Sequence, residues 1–92
     1  MDDKCCQIFH ALSDKTRMSI LRLIKDKECC VSDIGKHFNM TQPSISHHLD
    51  ILKRAGLVNY EKRGREIYYS YNKHVIIECC GKQFSAIDIE IG

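Results

Sequence analysis

The pattern of apolar and polar positions predicts a helix in the middle of the chain. Apolar side chains recur there at helical spacing, at Ile45, Leu49 and Leu52. Thr41 is a suitable N-cap, because its hydroxyl can accept a hydrogen bond from a backbone N–H of the first turn, and a proline follows within that turn. Gly56 favours a stop at the other end. We therefore expect a helix that begins after Thr41 and ends just before Gly56.

Polar side chains without negative charge separate the apolar positions of this helix. They are Gln42, Ser44, Ser46 and His47. Short hydrogen-bonding groups of this kind suit the base edges and phosphates of DNA. We expect these four residues, with Thr41 at the helix start, to contact DNA. A helix that merely faces solvent is the alternative, and the segment after the helix helps to decide between the two.

Two β-rich runs follow the helix, residues 58–63 and 65–71, on either side of Gly64. Their spacing predicts a β-hairpin whose tip carries the cations Lys62, Arg63 and Arg65. A helix that leads directly into a basic hairpin is typical of the winged helix-turn-helix, in which the helix enters the major groove and the wing reaches adjacent phosphates. The three cations are therefore further candidates for DNA contact.

The first half of the chain supplies a helical scaffold. Helices are predicted over residues 5–12, over 14–25 with Ser13 as the cap, and through Phe38 with Ser32 as the cap, before a turn at Asn39 and Met40. With the central helix and a last helix in the tail, the fold class is α+β and mostly helical. It is a single winged helix-turn-helix domain over residues 1–92, with about five helices and a β-hairpin wing.

Charge and composition narrow the classes of function. The net charge of +2 is distributed unevenly, since residues 36–65 carry +4 and the rest of the chain carries −2. Positive charge thus gathers where DNA is expected to lie. No signal peptide or apolar run of bilayer length is visible, so we expect a cytoplasmic protein without a membrane partner. No nucleophile–base pair, phosphate loop or complete catalytic metal set is present, which argues against an enzyme.

The tail is more apolar than a small monomer can bury. Its apolar residues are Val75, Ile76, Ile77, Cys79, Cys80, Phe84, Ile87, Ile89 and Ile91. Such a stripe predicts an interface, most simply a twofold dimer through the first and last helices that places two recognition helices on palindromic duplex DNA. Two alternatives remain: the tail folds back on its own domain, or the chain is a protein-interaction module that docks through the tail.

Five segments together resemble the ArsR/SmtB family of bacterial and archaeal repressors. They are FHALSDKTR at 9–17, ECCVSDI at 28–34, SISHHL at 44–49, LKRAGLV at 52–58 and GREIYY at 64–69. The resemblance covers nearly the whole chain. It implies a dimeric winged helix repressor that leaves its operator when an inducer binds, with Gln42, Ser44, Ser46 and His47 facing DNA and the tip around Arg63 to Arg65 forming the wing.

Six cysteines in three adjacent pairs are the candidates for inducer chemistry. Without a secretion signal, they favour reduced thiols over structural disulfides. The sensor candidates are Cys5, Cys6, Cys30, Cys79 and Cys80. The inducer is expected to be arsenite, antimonite or a soft metal ion, because thiolates are soft ligands. No cofactor is required for DNA binding itself.

The family resemblance leaves the sensor open. Arsenic-type members carry Cys-Val-Cys where this chain has Cys30, Val31 and Ser32, so the second thiolate is missing. The family's zinc site on the last helix would fall at residues 72–74, where Asn72 removes a charged ligand, and zinc is not expected there. The alternatives are a dithiol redox or persulfide switch that joins Cys29 or Cys30 to Cys79 or Cys80, a repressor without a ligand, and cysteines that only pack in the core.

Overall fold

Four helices and five short strands make up the part of the chain that the structure, a computed structural model, describes, namely residues 3–79 and 81–85. The helices are α1 (Asp3–Leu12), α2 (Lys15–Lys25), α3 (Val31–Phe38) and α4 (Gln42–Arg54). The strands are β1 (Cys29–Cys30), β2 (Val58–Arg63), β3 (Glu66–Tyr71), β4 (Ile76–Cys79) and β5 (Lys82–Ser85). None of the helices in the described residues is long and apolar enough to cross a membrane.

The residue before α2 corrects one expectation about capping. Asp14, not Ser13, is the N-cap, and its carboxylate accepts a hydrogen bond from the Arg17 backbone N–H at 3.0 Å. Ser13 instead donates to the carbonyl of His10 at the end of α1, at 2.7 Å. Aspartate is as good an N-cap as serine and adds negative charge at the positive end of the helix, so the second of two suitable residues is used.

The turn between α3 and α4 places the two helices of the helix-turn-helix. Asn39 adopts the left-handed conformation, with φ 54°, and ends α3 as predicted. Gly35 of α3 lies close to this turn, because a Cβ there would come within 3.2 Å of the Met40 carbonyl oxygen. Helix α3 begins at Val31, one residue before the predicted cap Ser32, and Cys30 occupies the N-cap position without a side-chain bond.

The predicted central helix and wing are confirmed. Helix α4 has Thr41 as its N-cap, and its Ile45, Leu49 and Leu52 side chains are fully buried in the core. β2 and β3 pair antiparallel up to a two-residue turn, in which Gly64 has φ 63°. Glycine with positive φ at the first turn position is the pattern of a type II′ hairpin. β1 adds to the other side of β3 and gives the sheet order β1-β3-β2.

The tail corrects the prediction of a fifth helix and, with it, of a dimer interface built from the last helix. Within the described residues, β4 and β5 form a separate antiparallel hairpin, and its Gly81 has φ 79°. The β-branched run 75–77 favours strand over helix, and the glycine permits the turn. Ile77 is buried, whereas Ile76 is 58% exposed, as alternation along a strand requires. Residues 86–92, with the predicted apolar Ile87, Ile89 and Ile91, lie outside the described part.

Candidate nucleic-acid interface

The outer face of α4 presents all the polar residues that the sequence singled out there. The exposed side chains are Thr41, Gln42, Ser44, Ser46 and His47. The Thr41 hydroxyl accepts from the Ser44 backbone N–H at 3.4 Å and lies 3.1 Å from the Ser44 hydroxyl. This face contains the helix N-terminus, where backbone N–H groups and the helix dipole favour an anion such as a DNA phosphate.

Gln42 is already held by a neighbouring helix. Its amide nitrogen Nε2 donates to the Ser32 hydroxyl on α3 at 3.1 Å, and that hydroxyl donates to the Glu66 carboxylate of β3 at 3.0 Å. The start of the recognition helix is thereby connected to the first residue of β3, beside the turn of the wing. The sequence assigned Ser32 to capping and gave Glu66 no role, because the three residues come together only in the folded chain.

The three cations of the wing differ in their surroundings. Lys62 and Arg65 are exposed near the hairpin turn. Arg63 forms ion pairs with both Glu28 and Glu61, at 3.2 Å and 3.1 Å from its Nη2, and its guanidinium carbon lies 4.8 Å from the Tyr68 ring centre. Hydrogen bonds from Arg63 to Glu61 and Glu28 raise its pKa. The charge of Arg63 is therefore partly balanced within the protein, whereas Lys62 and Arg65 face solvent.

A buried arginine connects α1, α2 and α4, and sequence reasoning missed it. Arg17 is only 6% exposed. Its Nε donates to the Ala11 carbonyl at 2.9 Å, its Nη2 donates to the His10 carbonyl at 3.1 Å, and its Nη1 lies 3.3 Å from Nδ1 of His48. It thus binds the last carbonyls of α1 and contacts the recognition helix. The sequence does contain a signal for its burial, because Arg17 lies one turn before Ile20 and Leu21 and so shares the apolar face of α2.

The contact between Arg17 and His48 predicts a pH dependence of stability. Burial lowers the pKa of His48 from its ordinary value of 6.5, with Arg17 acting in the same direction, although Asp14, 3.9 Å away, opposes the shift. The unfolded chain therefore binds this proton at a higher pH than the folded chain, and stability falls as pH decreases below the ordinary value. Asp14, whose pKa is lowered chiefly by the Arg17 backbone N–H, adds a loss of the same sign in more acid solution.

We expect His48→Asn to reduce the loss of unfolding free energy between about pH 7 and about pH 5, since the asparagine oxygen accepts from Arg17 without titrating. Urea unfolding at several pH values measures the free energy of unfolding and its loss with decreasing pH. The matched control is His37→Asn, an exposed position on α3 outside this contact, which should change the pH profile less than His48→Asn does. Equal profiles for the wild type and His48→Asn would contradict the assignment.

Comparison with known proteins identifies the module. Residues 14–60, half of the chain, match the model of a family described as bacterial regulatory protein, arsR family. The transcriptional repressor SdpR of Bacillus subtilis (strain 168) is 48% identical over 69 residues, which are 75% of this chain and 77% of that protein. The chain belongs to the ArsR family. It is accordingly a DNA-binding winged helix-turn-helix transcriptional repressor and not an enzyme, as the sequence predicts.

Two further ArsR-type proteins are informative. An arsenical resistance operon repressor of Staphylococcus aureus is 38% identical over 71 residues, which are 77% of this chain and 67% of that one. A solution structure of a homodimeric winged helix-turn-helix DNA-binding domain from Mycobacterium bovis is 30% identical, with a TM-score of 0.72 over 75% of this chain and 64% of that one. The winged helix fold is thus shared with an experimentally determined structure.

The cysteines of this ArsR-family chain have different surroundings. Cys29 and Cys30 are buried, and burial raises the pKa of both thiols. Cys5 is half-buried and Cys6 is exposed on α1. The structure does not join Cys5, Cys6 and Cys30 into one site, since no three potential metal ligands among the described residues of a single protomer are grouped together. The predicted Cys79 and Cys80 thiols lie outside the described side chains.

Proposed function

We propose that this chain acts as a homodimer that binds a palindromic operator in double-stranded DNA, with α4 in the major groove and the wing on the flanking phosphates. The observation that supports this most strongly is that α4 exposes a polar face and the wing exposes Lys62 and Arg65. The bonds from Gln42 to Ser32 and from Ser32 to Glu66 connect these two parts. The proposed base contacts are Gln42, Ser44, Ser46 and His47, with Thr41 placed beside a phosphate. Arg63 contributes less, because contact with DNA competes with its two ion pairs.

A homodimer supplies the second half-site contact that a palindrome requires. It is supported by the homodimeric state of the Mycobacterium bovis domain and by Ile76, an exposed apolar side chain on β4. The interface is then formed by α1 and the β4–β5 hairpin, in place of the predicted last helix. The cytoplasm is the proposed location, since a DNA-binding regulator has its operator there.

Replacing Gln42 with alanine should relax sequence preference without abolishing binding. A glutamine that contacts a base edge through two hydrogen bonds contributes about 1–3 kcal/mol of discrimination. Fluorescence anisotropy on operator DNA and on a shuffled duplex measures the ratio of the two affinities, which should fall roughly 5–150-fold for each half-site of the dimer. Lys36→Ala, an exposed change on α3, is the control. Equal losses on both duplexes would refute the base contact.

We further propose that the inducer acts at cysteine thiols, with arsenite or antimonite as the preferred class. This is supported by the similarity to a repressor of an arsenical resistance operon. Cys30 is a poor ligand in this conformation, because burial and the neighbouring carboxylates of Asp33 and Glu66 raise its pKa and disfavour the thiolate. Cys5 and Cys6 on α1 are better placed, with Cys79 and Cys80 of the tail as the remaining donors to a trithiolate site.

Arsenite should release the reduced protein from its operator. Binding coupled to release typically changes DNA affinity by roughly 5–150-fold. The measurement is anisotropy of the operator complex during an arsenite titration, with Cys5→Ser/Cys6→Ser as the test variant and Cys29→Ser as the control. Release of the wild type that persists in the double variant would exclude the α1 thiols. Unchanged binding by the wild type would favour the dithiol redox switch or a repressor without a ligand.

A further inference from the structure

Two residues that are not proposed DNA contacts, Ser32 and Glu66, hold the side chain of Gln42 through successive hydrogen bonds. Gln42 donates from Nε2 to the Ser32 hydroxyl at 3.1 Å, and Ser32 donates to the Glu66 carboxylate, 3.0 Å from Oε2 and 3.5 Å from Oε1. Ser32 and Glu66 are partly buried, whereas Gln42 is exposed. These hydrogen bonds therefore run from a partly buried carboxylate on β3 to the surface of the recognition helix.

The order of donors and acceptors in these hydrogen bonds fixes the orientation of the Gln42 amide. An ionised carboxylate only accepts hydrogen bonds, so Glu66 takes the single hydroxyl proton of Ser32. The Ser32 oxygen then faces Gln42 with a lone pair and must receive an N–H. The amide oxygen of Gln42 would meet a lone pair if the group were flipped, so only the nitrogen can point towards Ser32.

An amide held in this way retains one N–H and the carbonyl oxygen for a ligand. When the N–H trans to the carbonyl oxygen is the one that binds Ser32, the remaining N–H and the oxygen lie side by side and match the N7 acceptor and the N6 amino donor of adenine in the major groove. We propose that Ser32 and Glu66 are positioning residues that orient the Gln42 amide for adenine, without themselves touching DNA. The inference rests on the proposed function, because it requires α4 to enter the major groove.

The test uses a library of DNA duplexes with a randomised central segment, from which the wild type and each variant select sequences. The position that loses its preference in Gln42→Ala identifies the base opposite Gln42. The wild type should prefer adenine there by roughly 5–150-fold. Ser32→Ala and Glu66→Gln should each lower that preference by roughly 3–10-fold, the effect of one hydrogen bond, and leave the preference at other positions unchanged.

Two controls separate positioning from a general loss of structure. Ser19→Ala on α2 removes a hydroxyl outside this chain of bonds and should leave the adenine preference as in the wild type. Ser32→Ala added to Gln42→Ala should cause no further change in base preference, because the group that Ser32 orients is gone. Thermal unfolding of each variant verifies that it is folded at the temperature of selection.

The outcomes distinguish the inference from the proposed function. A wild type that enriches no sequence overturns both. A wild type that enriches a site overturns the inference alone if the base opposite Gln42 is not adenine. The inference alone is also overturned if Ser32→Ala and Glu66→Gln keep the full preference for adenine, or if they weaken binding to all sequences equally. Loss of adenine preference in both variants, absent in Ser19→Ala, supports it.

Discussion

Replacing Lys62 and Arg65 together with alanine should lower affinity for duplex DNA on the order of a thousandfold at about 0.1 M salt. Each cation that neutralises a phosphate releases condensed counterions and contributes about 0.9 to the slope of log affinity against log salt. A dimer with two such residues in each wing loses four contacts. The slope should therefore fall by about 3.6, and anisotropy titrations over a series of salt concentrations measure it.

Two comparisons make this result specific to the wing. Lys15→Ala/Arg22→Ala removes the same charge from exposed positions on α2 and should change the slope far less, because those residues lie outside the proposed interface. Arg63→Ala should also reduce the slope less than Lys62→Ala or Arg65→Ala, because Glu28 and Glu61 already balance the charge of Arg63. A similar slope for the α2 and wing variants would place the phosphate contacts elsewhere.

Replacing Arg17 with methionine should lower the free energy of unfolding by about 1–3 kcal/mol, the cost of one unsatisfied buried polar group. Methionine is as long as arginine up to Nε but removes the donor to the Ala11 carbonyl, whereas the His10 carbonyl keeps its bond from Ser13. Ala11 is fully buried, so water cannot readily replace the arginine there. Urea denaturation monitored by circular dichroism measures the change.

The control for this substitution is Arg22→Met, an exposed position of the same helix, where a change within about 0.5 kcal/mol is expected. Arg17→Lys should be intermediate, because an ammonium cannot reproduce the fork of donors that contacts two carbonyls and His48. A loss for Arg17→Met no greater than that for Arg22→Met would show that these bonds do not stabilise the fold.

The sequence predicts the elements whose boundaries are set by local chemistry. Thr41 and the following proline begin α4, Gly56 ends it, and Gly64 turns the wing, so these boundaries match the structure within a residue. The prediction of a helix in the tail is wrong for the described residues, although local signals for a hairpin are present there. These signals are the β-branched run 75–77 and Gly81, which has φ 79°.

The contacts within the candidate site depend on the tertiary structure. The serine and glutamate that orient Gln42 are 34 residues apart, and only the packing of α3 against β3 brings them together. Arg63 was predicted as a phosphate contact from the charge run at the wing tip, which does not reveal that Glu28 approaches it across the sheet. Pattern and composition identify which residues are available, whereas distance in the fold determines their partners.

The decisive measurement for sequence-specific DNA binding by a dimer uses the fully reduced protein and an operator duplex obtained by selection from the randomised library. The measurement is fluorescence anisotropy on that duplex and on a shuffled duplex of the same length and composition, at about 0.15 M salt, with the stoichiometry taken from titration at high DNA concentration. Sequence-specific binding by a homodimer requires two chains per operator and an affinity at least about 10³-fold tighter than for the shuffled duplex. Equal affinities for the two duplexes would contradict it.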